Sequence, residues 1–337
     1  MNRRITLAIL LLVVVLAGAL MWQKHSADRP LDKVGAVRIA ASLTISPASL
    51  WIAQDQGLFA RAGLDATVSE CSTGKACTEA MLKGETDLAA AAEFLAARQA
   101  LTAKDLRILA TTAFVHTIKL QALRDQGIAS LSDLKGRRVG VKLGTNGEYF
   151  LARLLTLNGL KRDDITWVDL KPQAMVDALS AGQVDAVLVW PPFSSKIHGQ
   201  FGDRIVEFDG QPGQDYYYLL MSRQDWLAQH PEVAERVMLA LKWAEEWMAT
   251  HPEETKTYMA AKFGMPVADM ADDLNSTRFS IGLPQALLAA LEAEQSWLLE
   301  QGAQGTPVTN HLDLVAFEPL TAVAPTAVTM IRGAAKP

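Results

Sequence analysis

The sequence contains no run of lysine and arginine longer than two residues, and its 337 residues carry a formal net charge of −5. Nucleic-acid backbones are held by basic stripes or patches, so this class of partner is excluded. Only two cysteines are present, Cys71 and Cys77. With no histidine beside them they fall short of a four-ligand zinc site. The six histidines are scattered, and no two have metal-ligand spacing. No G-x-x-x-x-G-K-[ST] loop, G-x-G-x-x-G turn or G-x-S-x-G elbow occurs. No acid–base pair stands out either, so the chain is expected to be neither an enzyme nor a carrier of a cofactor or metal.

Half of the residues are hydrophobic. A chain of this length can bury a large core and suggests two domains. Residues 5–22 are free of charge and follow the basic Asn2-Arg3-Arg4. Eighteen helical residues span roughly 27 Å, close to the ~30 Å of a bilayer core. Two readings are open: a signal peptide cleaved near Ala17-Gly18-Ala19, or an uncleaved N-terminal membrane anchor. Either one exports the rest of the chain, to the periplasm or an equivalent extracytoplasmic space. Residues 23–36 read as a linker. Cys71 and Cys77, six residues apart in "CSTGKAC", can form a short disulfide in that setting or remain free thiols.

From residue 37 the pattern alternates strand and helix, and the same program occurs twice. "VRIAASL", "LDATVSE" and "TDLAAAAE" read as strands of one unit, and "RRVGVKL", "ITWVDL" and "VDAVLVW" as strands of a second. Helical stretches separate them, the first being "SLWIAQDQGLFARAG", ending at Gly63. Gly63 aligns with Gly159, Gly84 with Gly182, and Asp87 with Asp185. The expectation is an α/β protein of two lobes, each a mixed or parallel sheet flanked by helices. "LRILATTAFVHTIKLQAL" (106–123) would cross between the lobes and "DYYYLLMS" (215–222) would cross back. Lobe one would then be discontinuous, 37–115 plus 216–337, and lobe two would be 116–215. The remainder of the chain reads as helices.

Open α/β sheets bind ligands beyond the carboxyl ends of their strands. In lobe one that rule selects Ser42, Thr44 and Ser46, then Thr73 and Gly74, then Glu93. In lobe two it selects Gly144, Thr145 and Asn146, then Trp190. Hydroxyls, glycines and helix N-termini hold an anion or a carbonyl by hydrogen bonds. Trp51, Trp190 and Phe193 offer an apolar wall. Glu93 reads either as a helix-start residue or as the partner of a ligand amine. His116, at the first crossing, reads either as a ligand contact or as a hinge residue bonded to backbone.

Four segments carry a resemblance to a known family: "SLWIAQDQGLFARAGLDATV", "AMLKGETDLAAAAE", "SLSDLKGRRVGVKLGTNGEYFLARLLTLNGL" and "ALSAGQVDAVLVWPP". Over about 37–300 the chain resembles the nitrate/sulfonate/taurine substrate-binding proteins of ABC importers. Their fold is shared with binding proteins for thiamine-pyrimidine precursors. The resemblance implies a type II "Venus flytrap" that closes on a small solute and delivers it, as a monomer, to an inner-membrane permease. It also implies ligand hydrogen bonds from the 42–46 loop and from Gly144-Thr145-Asn146. The Cys71–Cys77 segment departs from the plainer glycine turn usual there, and a disulfide would stiffen that wall. Lys75, Lys119 and Lys142 favour an anion such as a sulfonate, whereas Glu93 and Glu148 oppose a bare one. A pyrimidine or other heteroaromatic solute is the alternative. Two further alternatives are an enzyme of this fold in thiamine-pyrimidine or menaquinone synthesis, and a tethered receptor serving a partner other than a permease.

Overall fold

A computed structural model describes residues 30–332. The expected signal or anchor segment, and residues 23–29 of the expected linker, lie outside the described residues. No helix among the described residues is long and apolar enough to cross a membrane.

Among these residues the chain forms eleven strands: β1 (Gly35–Ser42), β2 (Leu64–Cys71), β3 (Leu88–Ala92), β4 (Leu106–Val115), β5 (Lys119–Leu123), β6 (Arg138–Val141), β7 (Thr166–Asp169), β8 (Ala186–Val189), β9 (Ile205–Asp209), β10 (Tyr216–Arg223) and β11 (Thr277–Gly282). They build two sheets, ordered β11-β4-β10-β3-β1-β2 and β7-β6-β8-β5-β9. The repeat is visible in the pairing. β1 runs parallel to β2 and β3, and β6 runs parallel to β7 and β8. Parallel neighbours require helical crossovers, which cover both faces and bury the strands between them. β3, "LAAAA", is buried at all five positions. Its alanines, poor strand formers by themselves, let the following layer approach closely. A Cβ added at Gly74 would lie 2.9 Å from the Ala91 Cβ.

The aligned aspartates turn out to do the same work in both lobes. Asp87 accepts from the Arg38 backbone N–H at 2.8 Å and from its guanidinium at 3.1 and 2.7 Å. Asp185 accepts from the Arg138 backbone at 2.8 Å and from its guanidinium at 3.2 and 2.7 Å. Each arginine also donates to the carbonyl of the aligned glycine, Gly84 or Gly182. A bidentate clamp therefore ties the first strand of each unit to the turn entering its third. Arg138 holds the Asp185 carboxyl below the usual carboxylate range. Burial pushes Asp87 upward, but the Arg38 hydrogen bonds outweigh it and hold that carboxyl low too.

Two segments join the sheets. The first runs from Val115 of β4 to Lys119 of β5, and the second from Asp209 of β9 to Tyr216 of β10. Gln211 of the second is fully buried and stitches them together. Its Oε1 accepts from the Thr117 and Ile118 backbone N–H groups, both at 2.8 Å, and its Nε2 donates to Val115 O at 3.0 Å. Beside it, a Cβ on Gly210 would meet Ile118 O at 2.8 Å, so only glycine lets the two crossings touch there.

The structure differs from the sequence reading in three places. The helix read across 49–63 is broken in two, Ala48–Asp55 and Leu58–Arg61, because Gly57 takes φ +68° between them. β1 begins at Gly35, inside the expected linker. The C-terminal part is not all helix: β11, "TRFSIG", forms the sheet edge antiparallel to β4. The long helices Pro231–Thr250 and Ala286–Glu300 lie where their apolar periodicity puts them.

Candidate functional site

The strand ends of the two sheets face one another across a cleft whose walls are in contact. Phe94 stacks on Tyr149 with ring centroids 6.0 Å apart, and Gln173 reaches Ser72 O at 3.5 Å. Between the walls lies a cavity of about 30 Å³, room for a couple of waters. From the β1 end come Ser42, Thr44 and Ser46. The loop after β2 adds Ser72, Thr73, Gly74 and Lys75. Opposite them stand Thr145, Asn146 and Trp190. Eight of the eleven sequence-selected ligand positions thus meet in one cavity.

Two helix starts converge on it from opposite lobes. In helix Gly74–Leu82, the N-cap Thr73 accepts from the Ala76 N–H at 3.2 Å. In helix Asn146–Leu157, the N-cap Thr145 accepts from the Gly147 N–H at 3.3 Å. Thr145 Oγ1 also donates to Lys142 O at 2.7 Å, which fixes its hydroxyl. The N–H groups of Gly74, Lys75 and Asn146, which open these helices, have no intrahelical acceptor, and each helix start carries a partial positive charge. Behind Asn146, Trp190 packs on Gly147, whose missing Cβ would lie 3.2 Å from Cζ3.

Tyr216 and Tyr218, which sequence reasoning missed, complete the wall. They lie on the returning strand β10, and two-residue spacing sends both rings to one face. That alternation in "YYY" was the available signal; the stretch was read only as a crossing. Tyr216 Oη bonds Ser46 Oγ at 2.9 Å. Tyr218 Oη donates to Ala90 O at 3.2 Å and lies 3.1 Å from Ser42 Oγ, which in turn lies 3.1 Å from Thr44 Oγ1. Only one proton order fills all three contacts: Thr44 donates to Ser42, Ser42 to Tyr218, and Tyr218 to Ala90. Thr44 then turns lone pairs, not a proton, toward open space. Burial pushes the Tyr218 hydroxyl up to about 12 and the Tyr216 hydroxyl higher still, so neither ionises near neutrality.

Three selected residues do not line the cavity. Gly144 stands at its rim with φ +75°, and its N–H is taken by Glu148 Oε2 at 2.7 Å. Glu148 is itself neutralised by Arg162 at 3.4 Å. Glu93 is fully buried behind the wall. His116 is held between Asp215 (2.9 Å) and Asp209 (3.1 Å), carboxylates rather than the expected backbone groups, and lines a separate cavity with Lys119. Of the proposed apolar wall only Trp190 lines the cavity. Trp51 belongs to the core, with Lys262 Nζ 4.6 Å from its ring centre, and Phe193 packs on the smaller core of lobe two. Lys142 is spent on Asp169 at 2.8 Å. Cys71 and Cys77 are joined in a disulfide, Cα–Cα 5.6 Å, tying the end of β2 to the first turn of helix Gly74–Leu82.

A family model described as NMT1/THI5 like matches residues 45–255. A putative binding protein of Brucella abortus is 26% identical over 200 residues, 58% of this chain and 60% of that protein. The match thus spans three fifths of that relative's length. A putative aliphatic sulfonates-binding protein of Escherichia coli is 26% identical over 176 residues, 52% of this chain and 53% of that one. Among solved structures, the alkanesulfonate-binding protein SsuA from Xanthomonas axonopodis bound to MOPS superposes with a TM-score of 0.74 at 21% identity. That match covers 85% of this chain and all of the other. The two-lobed α/β architecture is that of the periplasmic binding proteins. By the extent of the family match, the chain belongs to the NMT1/THI5-like family.

Proposed function

We propose that this protein captures a small organic anion of the sulfonate class between its lobes, outside the cytoplasm, and hands it to a membrane permease. One observation carries the reading: among the described residues no carboxylate lines the cavity, whereas two helix starts from opposite lobes and the Lys75 side chain do. A ligand drives closure only by binding the closed form better than the open one. An anion held by N–H groups from both lobes meets that condition. Nitrate and heteroaromatic solutes rank lower. The former has no second group for the Thr44 side, and the latter has no charge for the helix starts.

Thr44 refines the solute further. Because its lone pairs face the cavity, the far end of the solute should carry a hydrogen-bond donor, as an amino- or hydroxy-sulfonate does. The role is binding, not catalysis. The Ser42, Thr44 and Ser46 hydroxyls bond one another or the tyrosines, Thr73 and Thr145 bond backbone, and burial keeps both tyrosines protonated, so none of these is an activated nucleophile.

The test is a thermal-shift and calorimetric screen with taurine, 2-hydroxyethanesulfonate, ethanesulfonate, nitrate and a hydroxymethylpyrimidine. A bound solute at ~100 times its dissociation constant adds about 2.7 kcal/mol and moves the melting point by several degrees. A sulfonate binding one to one is the expected result. A shift with the pyrimidine alone, or with nothing, overturns the assignment.

A further inference from the structure

Behind the cleft wall lies an arrangement that solute binding does not use. Glu93 and Glu294 are both fully buried, and none of their four carboxyl oxygens has a hydrogen-bond partner. Glu93 opens helix Glu93–Ala100. Glu294 lies on the buried face of helix Ala286–Glu300, between Leu291 and Leu298, and the two helices pack together. Isolated buried carboxylates are too costly to keep charged, so such groups neutralise unless paired. No lysine, arginine or histidine pairs with either one among the described residues. Backbone N–H groups of Phe94 and Tyr217 lie near Glu93 and ease its charge in part, yet none reaches it in hydrogen-bond geometry.

The roof over the pair comes from the other lobe. Tyr149, on helix Asn146–Leu157, stacks on Phe94 and meets the Trp297 ring edge-on at 5.5 Å. Its hydroxyl is pushed up by burial and then by the nearby Glu294 and Glu93 charges, with Gln214 and Arg153 acting the other way. The other titratable groups facing the pair are Tyr216 and Tyr217 of β10, both raised by burial and by Glu93. The three tyrosines stay protonated and lend the pair no countercharge, and Arg153 acts on Tyr149 rather than on either glutamate. Burial pushes the Glu93 carboxyl up to about 8, and burial plus Glu93 push Glu294 well up.

We infer that closing the lobes takes up a proton: the Glu93–Glu294 pair, roofed by Tyr149, holds at least one proton while the lobes are together and releases it to water when they part. Two carboxyls close together cannot both ionise cheaply, so the proton belongs to the pair. The sign follows from linkage. A carboxyl raised in the closed form favours that form most below its ordinary open-form value near 4.3 and loses this contribution as pH rises through the raised value. Closure is thereby easier in mildly acidic surroundings than in alkaline ones. The inference rests on the two-lobe architecture and needs no particular solute.

The test uses the solute-free protein with a donor and an acceptor dye on Gln301→Cys and Lys171→Cys, exposed positions on opposite lobes. The native cysteines are bonded and take no label. Energy transfer should fall between about pH 6 and about pH 9, a range spanning the raised value. The Glu93→Gln/Glu294→Gln protein, checked by its melting curve, should keep the same transfer throughout. If that variant does not fold, infrared spectroscopy of the unaltered protein decides. The carbonyl stretch of a protonated carboxylic acid should be present at neutral pH and lost in the alkaline range. Transfer that is flat in the unaltered protein, a pH response that survives in the folded double variant, or the absence of the acid band at neutral pH would overturn the inference.

Discussion

Lys75 of one lobe lies over Gly144 of the other: a Cβ built on Gly144 would stand 3.2 Å from Lys75 Nζ and 3.5 Å from its Cδ. The contact crosses the cleft beside the point where the two helix starts converge. Gly144 also needs its left-handed φ of +75°. Gly144→Ala therefore adds a backbone penalty of roughly 1–2 kcal/mol and displaces the lysine. The backbone penalty falls on the folded protein with the lobes open or closed, whereas the displacement of Lys75 falls on the closed form alone. Calorimetry should show affinity for the best sulfonate weakened by about tenfold or more, with the melting point of the free protein lowered. Unchanged affinity would mean that the lobes do not meet there.

Lys75 is the one cation among the described residues that line the cavity, and Glu79 lies 4.0 Å from it. Lys75→Met keeps the length of the side chain and removes the charge. The variant should bind the sulfonate more weakly and show a smaller loss of affinity as salt is raised, because the screened attraction is gone. An unaltered salt dependence would place the charge recognition elsewhere.

How much of this was legible beforehand differs between the framework and the site. The doubled strand–helix program and the aligned glycines and aspartates marked both units, because turns and left-handed caps depend on local chemistry. The cavity walls at Ser42, Thr73 and Thr145 followed from strand polarity alone. Glu93 and His116 could not be placed in this way. Each lies next to a strand end, but its direction is set by partners distant in sequence: Glu294 for one, Asp209 and Asp215 for the other. Tyr216 and Tyr218 were hidden for the same reason, since β10 joins lobe one only after the whole of lobe two has intervened. Gly57 broke a helix that hydrophobic spacing alone carried through it.

The disulfide closes a loop with a sequence separation of six. Chain-entropy arguments give roughly 2 kcal/mol for so short a loop. Reduction should lower the melting temperature by a few degrees and loosen the start of helix Gly74–Leu82, which supplies Thr73 and Gly74 to the cavity. The expected signature is a loss of sulfonate affinity under reductant that Cys71→Ser/Cys77→Ser reproduces. Equal affinity in both redox forms would leave the bridge a purely structural tie.

The Asp185–Arg138 clamp predicts an acid limb in the stability profile. Arg138 lowers the Asp185 carboxyl in the folded protein. Its contribution is therefore fully present above the unfolded value near 3.9 and disappears as pH falls through the lower, folded value. Asp185→Asn should lower the melting temperature at pH 7 and flatten its fall in acid. Asp87→Asn should do the same for the other lobe through Arg38. If only one variant changes the acid limb, the two clamps are not equivalent, despite their matching geometry.

The hydroxyl chain makes the most selective prediction. Tyr218 spends its proton on Ala90 O, Ser42 on Tyr218 and Thr44 on Ser42. A solute that ends in a methyl group, as ethanesulfonate does, leaves the Thr44 lone pairs dry and unpaired, while a donor gains a contact typically worth about 1 kcal/mol. Taurine or 2-hydroxyethanesulfonate should therefore bind about tenfold or more tightly than ethanesulfonate. In Thr44→Val the acceptor is gone, so the preference should collapse, chiefly through weaker binding of the donor-bearing solutes. Equal affinity for all three in the unaltered protein would mean that Thr44 does not meet the far end of the solute. Binding of none of them would instead remove the sulfonate reading itself.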